Sequence, residues 1–221
     1  NKNKDFFFFE KKDVRSVMGA LVYLVKTRLP EYIGASPFEI QVLTPMRKGE
    51  LGVEHLNEVL QYYLNPASES KKEKEGRTGV FREGDKVMQV KNNYKLEWKI
   101  TNAKGFSIEE GLGVFNGDMG IIKQINTYSE RITVVFDENR EAEYPFSSLD
   151  ELELAYAITI HKSQGSEYPA VVLPLLSGPP ILCNRNLLYT AITRAQKCVA
   201  IAGRQSMVEQ MIHNETEQKR Y

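Results

Sequence analysis

An interrupted alternation of strand and helix patterns is the feature that most restricts the fold of this chain. Apolar runs at 5–10 and 39–46 alternate with apolar residues at helical spacing over about 13–28 and from residue 53 onward. Over 80–149 the alternation gives way to short strand-like runs separated by Gly, Asn and Asp, and it returns afterwards. Alternating strands and helices form parallel sheets, whereas short, closely spaced strands form barrels or sandwiches. The pattern therefore predicts an α/β domain with a parallel sheet and an inserted small all-β barrel.

The same pattern predicts where the domains meet. Residues 1–79 and 150–221 are expected to form the discontinuous α/β domain, and residues 80–149 the barrel. The polar stretch NPASESKKEKEGRTG, at 65–79, indicates a mobile linker or exposed loop. Residues 95–113 are expected to form a long loop or an extra hairpin on the barrel, and residues 153–160 a single strand.

Composition limits the function classes. The chain has 29 basic and 29 acidic residues, so nucleic-acid binding would have to come from a few placed groups rather than from a basic surplus. It has two cysteines and no CxxC, which argues against a zinc site or a disulfide framework. The run CVAIAG indicates that Cys198 is a buried small apolar side chain. Apolar runs too short to cross a bilayer, and no signal-peptide pattern, predict a cytoplasmic protein without a membrane partner.

No phosphate-binding loop is present in the sequence. Its one G-x-x-x-x-G, at 79–84, is followed by Asp85, where such a loop has Lys and then Ser or Thr. The run ITVVFDE, at 132–138, looks like a strand that ends in a Mg²⁺-binding carboxylate. It lies inside the all-β block, however, and is interpreted as a hairpin strand. A metal site is therefore not predicted in this chain.

Two segments in the last third carry the chemistry. HKSQGSEY, at 161–168, is polar but lies between two apolar runs, and NLLYTAITRA, at 186–195, has helical spacing and ends near Arg194. Taken singly, the first could be a plain loop and the second an amphipathic helix whose C-terminal cation complements the helix dipole.

Taken together and in order, these segments resemble superfamily 1 helicases. AYAITIHKSQGSEYPAVV resembles their motif V and LLYTAITRA their motif VI, with the GSE and the YTA-x-TR of the RecD-like branch. Three further segments resemble the same branch: VLTPMRKGELGV at 42–53, and FREGDKVMQVKNNY at 81–94 with FNGDMGII at 115–122, which resemble its inserted Src-homology-3-like barrel. The resemblance spans nearly the whole chain.

The resemblance implies that this chain is the second of two RecA-like motor domains. ATP with Mg²⁺ would be bound mainly by an N-terminal motor domain that precedes residue 1, so the chain alone is expected to hydrolyse no ATP. The whole protein would be an ATP-dependent DNA helicase in recombination or repair, moving 5′ to 3′ on single-stranded DNA. Its expected partners are single-stranded and duplex DNA, its own N-terminal motor domain and, where it acts within one, a recombination complex.

The resemblance also assigns roles to individual residues. Arg194 would be the arginine finger that stabilises charge on the transferred phosphoryl group. The nucleotide would further contact Gly165, whose backbone allows close approach, and Glu167, which would bond the ribose. The remaining roles are DNA binding by Thr159, His161, Thr44, Pro45 and Arg47, and coupling between the two sites by Lys162, Ser163 and Gln164.

Two alternatives remain open at this stage. A Pif-type or relaxase-type helicase also carries HKSQG, but with a different tail and a Ser-Arg in motif VI, where this chain has Thr193 and Arg194. A non-catalytic DNA-binding or adaptor module with a degenerate motor fold would suit the neutral charge and the missing phosphate-binding loop. Against it, such a module has no use for Arg194 and Glu167.

Overall fold

The computed structural model describes residues 5–215 and divides the chain into two units. The first unit consists of the residues up to Leu64 and those from Tyr156 onward, and the second is Asn65–Ala155. The inserted unit is thus longer at both ends than the predicted 80–149. Within the described residues, no helix is both long and apolar enough to span a membrane.

A parallel five-stranded sheet forms the centre of the first unit. The strand order is β1-β14-β13-β2-β12. Central β2 is wholly buried and β13 almost wholly so, as continuous apolar runs predict for a sheet covered on both faces. Edge strand β1 differs from the predicted buried strand, because Phe6 is 39% exposed. The bounds are β1 (Phe6–Glu10), β2 (Ile40–Thr44), β12 (Ala157–Thr159), β13 (Tyr168–Leu175) and β14 (Ala195–Gly203).

Between residues 5 and 215, the first unit also contains five α-helices. The first passes through a π turn, Leu24–Arg28, into the second, so the chain stays helical beyond residue 28, where the predicted helix ended, and continues through Pro30. In a regular α-helix the Pro30 ring would clash with the carbonyl group four residues earlier. The π turn before Pro30 is wider and relieves this clash. Helix formation ends at Gly34, which has a left-handed φ of 67°. The helices are α1 (Val14–Tyr23), α2 (Leu29–Ile33), α3 (Val53–Leu64), α4 (Arg185–Ile192) and α5 (Gln205–His213).

The second unit is all-β and antiparallel. Seven strands follow the order β11-β5-β8-β9-β10-β6-β7, and β3 pairs with β4 in a separate hairpin. Residues 95–113 belong to the hairpin of β6 and β7, and ITVVFDE contains β9 and the turn before β10, as predicted. The bounds are β3 (Glu73–Glu75), β4 (Val80–Arg82), β5 (Lys86–Gln89), β6 (Asn93–Thr101), β7 (Ser107–Val114), β8 (Met119–Asn126), β9 (Arg131–Phe136), β10 (Glu141–Pro145) and β11 (Leu152–Leu154).

Residues 65–79 were predicted to be a mobile linker or an exposed loop; most of the segment is exposed, but it is tied into this unit and is not a free linker. Asn65 is 3% exposed, and its Nδ2 donates to Oδ1 of fully buried Asp85 over 2.7 Å. Lys71 donates from Nζ to Asn65 Oδ1 over 2.6 Å. The polar side chains that suggested a linker therefore hold the segment in place, because Asn65 binds both Asp85, outside the segment, and Lys71, within it.

The predicted strand at 153–160 is two strands in different sheets. β11 pairs with β5 in the antiparallel sheet, whereas β12 pairs with β2 in the parallel sheet. Ala155 and Tyr156 join them and are both buried. Because the apolar run continues through the change of sheet, hydropathy does not mark the boundary between the units.

Candidate nucleotide and DNA site

Two neighbouring strands end side by side in the parallel sheet. Thr159, the last residue of β12, pairs with Thr44, the last residue of β2. Just beyond them, the Ile160 N–H donates to the Thr44 carbonyl oxygen over 3.0 Å. The structure therefore brings the predicted DNA-binding residues from the two segments to one place, at the carboxyl edge of the sheet, where α/β proteins commonly bind ligands.

The exposure of these side chains separates them into two groups. Arg47 and His161 are exposed, and Thr159 is half-buried, with its hydroxyl accepting from the Lys162 N–H over 3.3 Å. Pro45 is buried. The Thr44 side chain is fully buried as well, and its hydroxyl donates to the Leu51 carbonyl oxygen over 2.7 Å. Arg47 and His161 can thus reach a ligand, whereas Thr44 and Pro45 shape the loop that carries Arg47.

The HKSQGSEY segment runs from the carboxyl ends of the parallel strands back to their amino ends. Thr159, just before it, is level with Thr44 at the carboxyl end of β2, whereas Ala170, just after it, is level with Ile40 at the amino end. Four residues of strand separate these levels, which is about 13 Å. The ends of the segment therefore lie at opposite edges of the sheet.

The buried hydroxyl of Ser163 and the left-handed backbone of Gly165 determine the course of this segment. It begins with a 3₁₀ turn, His161–Ser163, in which the buried Ser163 hydroxyl donates to the Ile160 carbonyl oxygen over 2.6 Å. Gly165 follows with a left-handed φ of 87°. A Cβ on Gly165 would meet no atom within 4 Å, so the backbone conformation, rather than space, favours glycine there. Gln164 and Glu167 are exposed.

Arg194 lies in the turn between α4 and β14, next to the second half of the segment. Its guanidinium donates three hydrogen bonds: Nη1 to the Ser166 carbonyl oxygen over 3.2 Å, Nε to the Thr190 carbonyl oxygen over 3.2 Å, and Nη2 to the Thr193 hydroxyl over 3.3 Å. All three acceptors are neutral, and within residues 5–215 no carboxylate forms an ion pair with this side chain. The positive charge is therefore not neutralised by its own unit.

Glu167 carries the matching negative group at the same edge. Its carboxylate is exposed, and Gln196 Nε2 donates to it over a long 3.4 Å. The backbone beside Glu167 is joined to that of Arg194, because the Tyr168 N–H donates to the Arg194 carbonyl oxygen over 2.8 Å. Gly165, Glu167 and Arg194, the three residues predicted to bind nucleotide, thus converge from two segments.

Asn57 is a positioning residue whose role the sequence did not predict. It is 4% exposed in α3, where Nδ2 donates to the Ala157 carbonyl oxygen over 2.9 Å and Oδ1 accepts from the Ala157 N–H over 2.8 Å. These bonds satisfy the backbone C=O and N–H of Ala157 in β12, the last strand of the sheet. The signal available in the sequence was an Asn among the apolar positions of a helix, at 56–57.

The parallel sheet with the connection that crosses it, together with the inserted antiparallel unit, defines a RecA-like α/β domain that carries an inserted Src-homology-3-like domain. Two family models match these parts separately. Residues 56–136 match the ATP-dependent RecD-like DNA helicase SH3 domain, and residues 154–202 match the UvrD-like helicase C-terminal domain. The chain belongs to the RecD-like helicases.

Curated relatives agree with the domain matches. The ATP-dependent RecD2 DNA helicase of Deinococcus radiodurans is 39% identical over 167 residues, or 76% of this chain and 20% of that protein. The RecBCD enzyme subunit RecD of Mycolicibacterium smegmatis is 29% identical over 177 residues, or 80% and 27%. A Bacteroides Pif1 helicase in complex with ADP-AlF3 and ssDNA superposes with a TM-score of 0.48 at 18% identity, over 90% of this chain and 51% of that one. The chain thus spans about a fifth to a quarter of these two curated relatives.

Proposed function

We propose that this chain is the C-terminal motor domain of an ATP-dependent DNA helicase that moves 5′ to 3′ along single-stranded DNA. The observation that carries the proposal is the course of the HKSQGSEY segment. One end lies beside the exposed Arg47 and His161, and the other lies beside Arg194. A single connection therefore links a candidate DNA edge with a candidate nucleotide edge.

Arg194 is proposed as the arginine finger. Phosphoryl transfer is catalysed mainly by positioning and by stabilising charge on the transferred group. The guanidinium is held by neutral oxygens alone, and hydrogen bonds to a phosphate are about twice as strong as neutral ones. A γ-phosphate offered by a neighbouring domain can thus compete successfully for its N–H groups.

The chain's residues fit a partial nucleotide site rather than a complete one. Glu167 offers an exposed carboxylate to the ribose hydroxyls, and Gly165 offers a backbone without a side chain. The sequence has no phosphate-binding loop, so ATP and Mg²⁺ would be held mainly by an N-terminal motor domain of the same polypeptide. That domain is then a partner without which this chain does not turn over ATP.

Single-stranded DNA is proposed to bind at the carboxyl edge through Arg47, His161 and Thr159. Contacts from a few polar and cationic groups to phosphates hold a strand without reading its sequence, which suits a chain with no net charge. Thr44 and Pro45 support the loop from within. Lys162, Ser163 and Gln164, which lie between the two ends, would transmit movement from one edge to the other.

ATP turnover and unwinding by the full-length protein test this proposal. We expect single-stranded DNA to stimulate ATP hydrolysis, and a duplex with a 5′ tail to be unwound in preference to one with a 3′ tail. We expect the isolated 221-residue chain to hydrolyse no ATP with or without DNA. Turnover by the isolated chain that Arg194→Ala abolishes would contradict the division of the site. DNA binding by the full-length protein without turnover would favour the adaptor alternative.

A further inference from the structure

The side chain of Gln196 lies beside Glu167, and nothing above assigns it a role. Its Nε2 donates to Glu167 Oε2 over 3.4 Å, and both side chains are exposed. Within residues 5–215 this is the one hydrogen bond that either side chain makes. The second N–H of the Gln196 amide and the second oxygen of the Glu167 carboxylate are therefore available to a ligand.

An irregularity in the parallel sheet sets the position of Gln196. While β13 advances by two residues, over 168–170, its partner β14 advances by three, over 195–198. The single residue inside this step of β13 is Pro169, which has no N–H to donate to a neighbouring strand. An extra residue of this kind forms a β-bulge, and bulges commonly lie next to active sites, where they redirect a side chain. Gln196 is one of the two residues on the bulged side.

The contact between Gln196 and Glu167 contributes little to folding. Both side chains are in water, and the distance between Nε2 and Oε2 is at the long end for a hydrogen bond. Substitutions at exposed positions of this kind usually change stability very little. Folding alone thus gives no reason for an amide at this place.

The chemistry of the pair suits two neighbouring hydroxyl groups. A carboxylate only accepts hydrogen bonds, an amide N–H donates them, and a hydroxyl does both. The two hydroxyls of a ribose can therefore donate to Glu167 while one of them accepts from Gln196. A phosphate, in contrast, would be repelled by the Glu167 carboxylate, so the group that fits here is an uncharged diol.

We propose that Gln196 is a second ribose contact, whose amide donates to one sugar hydroxyl while Glu167 accepts from the diol. The Tyr168 N–H donates to the Arg194 carbonyl oxygen over 2.8 Å, and Glu167 and Gln196 both lie within two residues of that bond, at the candidate nucleotide edge. The site then selects ribonucleotides over nucleotides that lack a sugar hydroxyl. The inference rests on the proposed binding of nucleotide at Glu167.

The test compares Gln196→Ala with Gln205→Ala in the full-length protein. Gln205 is a matched control, because it is also exposed and its Nε2 donates to the carboxylate of Glu209 over 2.9 Å, within α5. Dissociation constants for ADP, 2′-deoxy-ADP and 3′-deoxy-ADP are measured by isothermal titration calorimetry. Thermal melting, and kcat and KM for ATP in the presence of single-stranded DNA, are measured for the same proteins.

We expect a loss that depends on the sugar. In the wild type, at least one deoxy analogue should bind about tenfold more weakly than ADP, because it leaves the amide without its partner. Gln196→Ala should weaken ADP binding roughly three- to tenfold, and leave binding of that analogue unchanged, since the analogue already lacks the hydroxyl. KM for ATP should rise by a similar factor, with kcat and the melting temperature unchanged. Gln205→Ala should match the wild type throughout.

Three results would overturn the inference. The first is equal affinity of the wild type for all three diphosphates. The second is a Gln196→Ala variant in which binding of the three is unchanged or uniformly weaker, because the amide would then not act on a particular hydroxyl. The third is the same loss in Gln205→Ala. The proposed function survives each of them if single-stranded DNA still stimulates ATP hydrolysis by the wild type. A wild type without that stimulation would refute the proposed function itself, and the inference with it.

Discussion

Arg194 donates from Nη1 to the carbonyl oxygen of Ser166 over 3.2 Å, and so joins the turn after α4 to the connection that leads into β13. Two segments that are 28 residues apart in sequence thereby meet at one point. The connection itself extends to the opposite edge of the sheet, where Arg47 and His161 are exposed. A single connection therefore joins the surroundings of Arg194 to the carboxyl ends of β2 and β12.

Removing the Arg194 guanidinium should separate turnover from DNA binding. In the full-length protein, Arg194→Ala should lower kcat for DNA-stimulated ATP hydrolysis by about 10³-fold or more, because a charge that stabilises the transferred group is lost. Affinity for single-stranded DNA, measured by fluorescence anisotropy, should stay close to the wild-type value. Arg185→Ala, an exposed arginine that begins the same helix, is the control and should leave both quantities unchanged. Equal losses of turnover and DNA affinity in Arg194→Ala would make this residue a structural one.

Removing the Arg47 charge should weaken DNA binding and reduce its dependence on salt. If Arg47 contacts one phosphate of the strand, the slope of log affinity against log salt should become shallower by about 0.7 in Arg47→Ala. The matched control is Arg15→Ala, which removes an exposed arginine from α1. The same loss in both variants would mean that overall charge, rather than the carboxyl edge of β2, governs the interaction.

Two glycines with similar backbones allow a test of the nucleotide edge. Gly165 has a φ of 87° and Gly105, in the β6–β7 hairpin, has a φ of 81°, and a Cβ on either would meet no atom within 4 Å. Alanine at either position should therefore cost about 1 kcal/mol of stability through backbone strain alone. Only Gly165→Ala should raise KM for ATP in steady-state hydrolysis. A similar change of KM in Gly105→Ala would show that the effect comes from lost stability.

Loss of the Asn57 side chain should loosen strand β12. In Asn57→Ala, both polar groups of Ala157 lose their partner, and we expect a local loss of about 2–4 kcal/mol. Hydrogen exchange followed by mass spectrometry should show faster amide exchange over 157–159, by at least about tenfold.

The control for this prediction is Glu58→Ala, one residue further along α3. Glu58 is exposed, and its carboxylate lies 3.5 Å from Nδ1 of His55 on the same helix. Exchange over 157–159 should match the wild type in this variant. Unchanged exchange in Asn57→Ala would show that packing of β12, rather than the Asn57 amide, holds the strand in place.

Local patterns in the sequence were sufficient for most elements. Buried strands such as β2 and β13 are continuous apolar runs, whereas α3 carries apolar residues at helical spacing. The two patterns differ within a short window of sequence, so each element type can be predicted locally. The boundary of the inserted unit was predicted less well. Polar residues 65–79 have partners that are distant in sequence, and the apolar run through Ala155 and Tyr156 continues across a change of sheet.

By itself, the sequence determined the order of strands and helices, the motifs and the lack of a phosphate-binding loop, because these depend on residue identity and local spacing. Only the tertiary structure decided which motif residues face outward. Thr44 and Arg47 lie three positions apart, yet one is fully buried and the other exposed. The convergence of Ser166 with Arg194 and the two hydrogen bonds of Asn57 were likewise decided there. Each depends on atoms brought together across the fold, and strand register and burial, which fix those distances, are not encoded in any short window of sequence.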